Sequence, residues 1–261
     1  MPWLGQIAWG DHDMFHSGDQ NPVAAEMNAM AKALSGGPVY LSDTPEHLNA
    51  DAAYPLCYGD GRLLRPLAPG APLSEDLFHD QTAPRLFRAI APLDHDAAVI
   101  MVMNLHHGGE HSRTEFTTNL TQEDYAARFV MMQPRPDASP VPQEGLLVYD
   151  FQSGKAETLT KEYEIALTGF GSRLVQIQPI RNGRCVIGRT DKYLSAATIQ
   201  SVSYGESTID IELHEAGSIA VWSDNGVPKA DGLDFQPQGD GLYVADMEVG
   251  GGQTKWRIVF E

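Results

Sequence analysis

Cysteines, long apolar runs and basic residues are all scarce in this sequence. Its two cysteines, Cys57 and Cys185, lie far apart without metal-ligand spacing. We predict two buried or partly buried free thiols in a reducing compartment, not a disulfide or a nucleophile. No stretch approaches the roughly 18 apolar residues that a membrane-spanning helix needs. The start, MPWLGQIAWGDHD, resembles no classical export signal, so we expect a cytoplasmic protein.

The charge balance is strongly acidic. Asp and Glu number 35 against 18 Lys and Arg, which gives a formal net charge of -17. Because such a surface repels phosphate backbones and anionic membranes, we expect neither nucleic acid nor membrane as a partner. Gly36-Gly37 lacks the surroundings of a phosphate-binding loop, and no serine stands in a G-x-S-x-G elbow. We therefore expect no cofactor and no serine hydrolase.

The N-terminal part predicts one βαβ unit. Trp3 to Trp9 suits a buried strand, and the polar cluster Asp11 to His16 follows it. Asn21-Pro22 is a predicted N-cap and first turn of a helix of about 13 residues that ends at Gly36-Gly37. The run PVYL, residues 38 to 41, is a second strand. Parallel strands would bring both polar loops to one sheet edge, where α/β enzymes place their chemistry.

After about residue 56 the pattern changes to short β-rich runs between Gly, Pro and Asp breaks. This is typical of an antiparallel β-sandwich. Asn182-Gly183 is a candidate hairpin turn. The predicted strands are 86–90, 98–105, 145–151, 163–167, 174–179, 209–213, 218–222, 241–247 and 256–260.

The cluster GDHDMFHS, residues 10 to 17, is the strongest functional candidate. In extended backbone Asp11 and Asp13 leave the chain on the same side, as carboxylates that bind one polyol or one cation must. His12 and His16 could complete a metal site. From spacing alone, a turn and cap device, a carbohydrate site and a metal site all remain open. The tract 106–111 (HHGGEH) is a metal tract or a solvated hairpin loop.

Four motifs in order carry a specific family resemblance. They are DHDMF at 11–15, GGPVYLSD at 36–43, DGRLLR at 60–65 and Leu77-Phe78. Together they are similar to the C-terminal half of the raffinose synthase and seed imbibition protein group of glycoside hydrolase family 36, which includes the alkaline α-galactosidases. The similarity weakens toward about residue 195, and beyond it no family feature is recognisable.

The resemblance implies an architecture and a set of pocket residues. Family members fold as a (β/α)8 TIM barrel followed by a β-sandwich. Residues 1–55 would then be barrel strands seven and eight with their helices, and residues 56–261 the sandwich. Asp11, Asp13 and Asp43 would lie at the catalytic face as substrate-binding residues, with His12 where plant members usually carry Trp.

The resemblance also implies that the catalytic pair lies elsewhere. Retaining glycosidases need two carboxylates about 5 Å apart. In the family these follow barrel strands four and six, in Lys-x-Asp and Ser-Asp-Asp motifs, and residues 1–55 contain neither. Both are expected upstream of Met1, so no catalytic residue is assigned. We interpret the chain as the C-terminal portion of an enzyme acting on α-galactosides. The alternative is a non-catalytic carbohydrate-binding β-sandwich module.

Overall fold

The computed structural model describes residues 13–106, 114–129, 141–247 and 252–261. These residues are mostly β-strand, and the longest of their helices has 14 residues. None of the helices in these ranges has the length and apolar character that a membrane crossing requires.

The elements of the described residues follow in chain order. The helices are α1 Pro22–Ser35, α2 Ala50–Ala53 and α3 Gln122–Ala126. The strands are β1 Met14–Phe15, β2 Tyr40–Leu41, β3 Ala71–Pro72, β4 Phe87–Pro92, β5 Ala98–Asn104, β6 Glu115–Thr121, β7 Leu146–Asp150, β8 Lys155–Thr158, β9 Glu162–Thr168, β10 Gly171–Pro179, β11 Arg184–Arg189, β12 Ile199–Tyr204, β13 Thr208–Leu213, β14 Ile219–Ser223, β15 Pro228–Lys229, β16 Phe235–Gly239, β17 Leu242–Ala245 and β18 Lys255–Phe260.

A βαβ unit is present among the described residues, with the predicted helix and second strand. β1 pairs in parallel with β2. Between them α1 starts at Asn21, whose side chain accepts a hydrogen bond from the Val23 backbone, and ends at Gly36 with a φ of 63°. The run predicted as the first strand, Trp3 to Trp9, lies outside the described residues. The strand observed here falls instead within the cluster that we predicted to be a polar loop.

Helix α1 is buried against the largest sheet. This sheet has the order β3-β4-β5-β10-β7-β8, and its neighbours are antiparallel. Met30 and Leu34 of α1 share one apolar core with Met101 of β5 and Leu174 of β10. The spacing of the helix's apolar residues therefore predicted its buried face correctly. The predicted boundary after residue 55 stays a prediction.

Two four-stranded antiparallel sheets form the C-terminal part. Their orders are β11-β14-β17-β16 and β12-β13-β18-β15. Side chains from both sheets meet in one core, among them Val221 of β14 and Ile211 of β13. A separate pair, β6 with β9, covers the large sheet through Leu120 and Ile165. Within the described residues the chain is therefore mostly β, and its pairing after residue 56 is antiparallel.

All nine strands predicted after residue 56 are confirmed, although five others of four or more residues were missed. The turn at Asn182-Gly183 is also confirmed, with φ angles of 52° and 68°. The missed strands are β6, β8, β11, β12 and β16. Strand β11 was missed because it is buried along its whole length while it carries Arg184 and Arg189, and such charged residues are rare inside proteins unless paired.

Buried cations attach the segment after α2 to the C-terminal sheets. The Arg189 side chain is fully buried and pairs with Glu215, whose other carboxylate oxygen accepts from the Gly59 backbone at 2.8 Å. The Lys192 ammonium donates to the Tyr54 carbonyl at 2.7 Å and lies 3.3 Å from the centre of the Tyr54 ring. Removing one partner of such a network leaves a buried charge unpaired.

Met30→Ala tests the packing of α1 on the large sheet. Met30 is fully buried, so the truncation should lower the free energy of unfolding by about 2–5 kcal/mol. The matched control is Val23→Ala in the same helix, where Val23 is 40% exposed and the change should stay within about 0.5 kcal/mol. Urea unfolding followed by circular dichroism measures both. Equal effects of the two variants would contradict the packing described here.

Candidate functional site

The Asp43 carboxylate joins the two polar loops of the βαβ unit. One of its oxygens accepts from the backbone N–H and the hydroxyl of Ser17, both at 2.8 Å. The other accepts from the backbone N–H of Gly18 at 2.9 Å. Two loops whose bonded residues Ser17 and Asp43 are 26 residues apart in the sequence are thus held together at the carboxyl end of the parallel strand pair.

Ser17 and Gly18 extend this connection further along the chain. The buried Ser17 hydroxyl also accepts from the Asn49 backbone at 2.9 Å. A Cβ at Gly18 would stand 1.7 Å from the carbonyl oxygen of His47. Only glycine permits this approach, because a methyl group there would collide with backbone that cannot move aside. The loop that follows β1 is therefore held between Asp43 and the segment that leads into α2.

These hydrogen bonds change the acidity of Asp43. Donation from the Gly18 backbone is the largest cause, and with the Ser17 donors it outweighs partial desolvation, so the pKa of Asp43 lies below its ordinary value of 3.8. The nearby His16 acts in the same direction. Asp43 is therefore ionised at neutral pH and is no proton donor there.

Asp13 has an unusual backbone that a buried lysine contacts. Its φ is 63°, in the left-handed region, and its carboxylate accepts from the Met14 backbone at 2.7 Å. The Lys32 side chain, 3% exposed, reaches back from α1 to donate to the Asp13 carbonyl oxygen. Aspartate adopts this left-handed conformation only occasionally and as a single residue. Here a hydrogen bond from the charged Lys32 ammonium stabilises it.

Two of the four residues predicted to bind substrate, Asp13 and Asp43, are described by the structure. Asp13 precedes β1 whereas Asp43 follows β2, so the two stand at opposite ends of the strand pair. Asp11 and His12 lie outside the described residues. His16 and Ser17, which the sequence did not single out as substrate-binding, are the neighbours of Asp43. His16 and Ser17 directly follow β1, and Asp43 follows β2, which runs parallel to β1. This shared position after parallel strands was the sequence signal for their proximity.

The described residues contain no ligand cluster for either predicted metal site, the cluster 10–17 or the tract 106–111. Among them no group of three or more His, Cys, Asp or Glu could hold an ion. Residues 107–111 of the histidine tract lie outside the described ranges. The one histidine of that tract that is described, His106, has its Nδ1 3.0 Å from the Thr82 carbonyl. The two cysteines are free thiols, with Cys185 buried and Cys57 half-buried, as predicted.

The pattern Lys-x-Asp does occur once, at Lys229–Asp231, where it has a structural setting. Lys229 ends β15 at the edge of a C-terminal sheet and pairs with Glu261. This position is not the end of a barrel strand, so the pattern gives no ground for a nucleophile.

Comparison with known proteins identifies the class of this chain. A family model described as "Raffinose synthase or seed imbibition protein Sip1" matches residues 1–231. The chain is thus a member of a glycosidase- and galactosyltransferase-like group. It belongs to the raffinose synthase or seed imbibition protein Sip1 family.

Its curated relatives are longer proteins. The galactinol–sucrose galactosyltransferase of Pisum sativum is 25% identical over 242 residues, which cover 85% of this chain and 30% of the pea protein. "Probable galactinol–sucrose galactosyltransferase 6" of Arabidopsis thaliana is 45% identical over 78 residues, or 30% of this chain and 10% of that protein. The solved α-galactosidase of Saccharomyces cerevisiae has a TM-score of 0.45 at 12% identity, over 69% of this chain and 50% of that one. The chain thus spans less than a third of the two plant relatives.

Asp43→Asn tests the connection between the loops. An amide would present N–H groups to donors that now point at a carboxylate, so we expect a lower urea midpoint at pH 7. Because the folded pKa is lowered, the carboxylate stabilises the fold above its ordinary value of 3.8, and this stabilisation disappears as the pH falls through the folded pKa. The difference between wild type and variant should therefore shrink on acidification from pH 7 to pH 3.

The control for this prediction is Asp51→Asn. Within the described residues the Asp51 side chain accepts no hydrogen bond, although its backbone N–H donates to Asn49. Its urea midpoint should match wild type at pH 7. A difference for Asp43→Asn that stays constant down to pH 3 would show that the charge is irrelevant to the connection.

Proposed function

We propose that this chain forms part of the galactoside-binding pocket of a retaining α-galactosidase or galactosyltransferase. The observation that carries the proposal is the Asp43 connection, which joins the loops after β1 and β2 at the carboxyl end of the parallel strands, each loop directly following a family motif or including its last residue. Ligands of α/β enzymes bind at this edge of the sheet. In this interpretation Asp43 supports the loops and lines the pocket at this edge, while Asp11, His12 and Asp13 contact sugar hydroxyls from the segment that precedes β1.

The proposed architecture follows from the same family membership. Residues 1–55 would be the last strands and helices of a (β/α)8 barrel, which the parallel pair β1 and β2 with α1 between them supports. Residues 56–261 would form the β-sandwich region. The two four-stranded antiparallel sheets around one core support that part.

The catalytic pair is proposed to lie outside the residues described above. A retaining mechanism requires an acid and a nucleophile whose carboxyl groups are about 5 Å apart. Asp13 and Asp43 stand at opposite ends of the strand pair. In addition, Asp43 is poorly suited to either role, because its lowered pKa opposes proton donation and three hydrogen bonds reduce the nucleophilicity of its oxygens. These residues would bind and orient the galactosyl unit.

Transfer and hydrolysis would share one covalent intermediate and differ in whether a sugar or water accepts the galactosyl group. The pea relative is named for transfer from galactinol to sucrose, which favours a sugar acceptor. A cytoplasmic location remains part of the proposal, and the two free thiols are compatible with it.

The test combines a turnover assay with a binding assay on the chain itself. A chromogenic α-galactoside and raffinose report turnover, and ligand-observed NMR with galactose reports binding. We expect no turnover, and galactose binding that weakens by about tenfold in Asp13→Asn through loss of a charged hydrogen bond. The control is Asp19→Asn, a variant of an exposed aspartate in the loop after β1 that accepts from the Asn21 backbone; it should bind galactose as wild type does.

Two outcomes would contradict the proposal. Turnover that disappears in an Asp11→Asn, Asp13→Asn double variant would make these aspartates the catalytic groups. Absence of galactose binding in the folded wild-type chain, or equal loss in Asp13→Asn and Asp19→Asn, would remove the sugar pocket from this part of the molecule.

A further inference from the structure

A second cleft lies between the large sheet and the C-terminal sheets, away from the β1–β2 edge. Its volume is about 420 Å³, within the range of about 300–1,000 Å³ that is typical of small-molecule sites. One wall is the edge strand β12, and the other is the turn between β4 and β5 with the end of β10. None of its lining residues belongs to the site described above.

The strand edge in this cleft presents unused backbone groups. In an antiparallel pair the residues alternate between those that bond their partner strand and those that face away. The Gly205 backbone N–H donates to the Thr208 carbonyl at 2.8 Å, so Gly205 is a residue that bonds β13. Ser203 lies two residues before Gly205, opposite Asp210, and therefore also belongs to the residues that bond β13. By this alternation the N–H and C=O groups of Val202 and Tyr204 face away from β13, on the open edge of the strand, and both residues line the cleft.

Side chains close this edge at both ends. The His95 Nε2 lies 2.9 Å from the Ile199 carbonyl and must donate to it, and the Asn182 side chain donates to the Gly205 carbonyl at 3.0 Å. The open stretch from Val202 to Tyr204 is only roughly 7 Å long at the usual rise of a strand. This length fits one pyranose ring and is shorter than the five or six residues of an ordinary added strand.

The turn opposite the edge is held in a strained conformation. His95 and Asp96 have φ angles of 59° and 62°, although neither is glycine. Arg181 pairs with the Asp96 carboxylate at 2.5 Å, and the Tyr125 hydroxyl donates to the Asp96 carbonyl at 2.7 Å. The backbone conformation of the turn and the ion pair together hold the Arg181 guanidinium and the Asp96 carboxylate side by side at the rim of the cleft.

The chemistry of the lining selects a neutral ligand with both hydroxyl groups and C–H faces. The two rim charges already neutralise each other, so neither an anion nor a cation finds an unopposed partner. Pro179, Val186 and Ile199 are buried apolar side chains of the lining. A planar ion pair can donate to and accept from neighbouring hydroxyls of one ring.

We propose that this cleft is a second, non-catalytic saccharide site, in which one neutral pyranose unit hydrogen-bonds the Val202 backbone and the Arg181–Asp96 pair. It shares no residue with the β1–β2 edge. The proposal therefore goes beyond the galactoside pocket and stands or fails independently of it.

The first measurement is an amide NMR titration of the full chain with raffinose. We expect the Val202 and Tyr204 amide signals to shift saturably. Asp96→Asn keeps the size of the side chain and a residue type that tolerates positive φ, while it removes one rim charge. It should weaken the affinity of this cleft by about tenfold, as expected for a hydrogen bond to a charged group.

The matched control for Asp96→Asn is Asp210→Asn. Asp210 pairs with Arg257 at 2.7 Å, and its side chain, 47% exposed, is about as exposed as that of Asp96 at 42%. Neither residue lines this cleft. Asp210→Asn should leave the raffinose affinity within about twofold of wild type, since only a solvent-exposed pair is lost.

A second pair of variants tests the backbone group itself. Val202→Pro removes an N–H that does not bond β13, and proline is tolerated at such edge positions. Val202→Ala keeps the N–H and removes only side-chain volume. We expect Val202→Pro to abolish the amide shift of Tyr204, and Val202→Ala to retain it. Circular dichroism confirms that each variant is folded.

Three results would overturn the proposal. Raffinose could shift only signals near Asp13 and Asp43, which would confine sugar binding to the first site. The Val202 and Tyr204 signals could shift with protein concentration in the absence of sugar, which would make the edge a contact between polypeptide chains. Asp96→Asn and Asp210→Asn could weaken binding equally, which would remove the cleft's ion pair from recognition.

Discussion

The Asp43 carboxylate is the interaction on which the candidate site depends. It receives three hydrogen bonds from Ser17 and Gly18, and so converts two separate loops into one surface. The close approach of Gly18 to His47 leaves no room for a side chain at this position. An acidic residue in a family motif thus has a structural reason to be present, whether or not it also touches a ligand.

This surface in turn requires the strand pair beneath it to be held in place. Two parallel strands of two residues each cannot be stable alone. Their support comes from Phe15 and the apolar face of α1, which share a core with β5 and β10. The mostly β remainder of the chain is therefore what keeps the polar edge in shape, and the buried Arg189 and Lys192 attach the next segment to the C-terminal sheets.

The sequence predicted local features well. The cap at Asn21, the end at Gly36 and the turn at Asn182-Gly183 were predictable because each depends on the conformational preference of one or two residues. Strands β11 and β12 were not predictable, because they depend on contacts with residues distant in sequence. The buried Arg189 of β11 pairs with Glu215. Hydrogen bonds from His95 and Asn182 flank the edge of β12. The positions of Asp13 and Asp43 along the strand pair could not be predicted either, since they depend on register.

The sequence by itself determined the family, the helix α1 with its buried face, the antiparallel character of the part after residue 56 and the state of both cysteines. These follow from motifs, from spacing and from composition, which act over a few residues. Only the tertiary structure decided that His16 and Ser17 are the neighbours of Asp43, that Lys32 contacts the Asp13 backbone and that an open strand edge faces the Arg181–Asp96 pair. Each of these depends on a contact between residues far apart in the chain, which sheet register and core packing establish and local sequence does not encode.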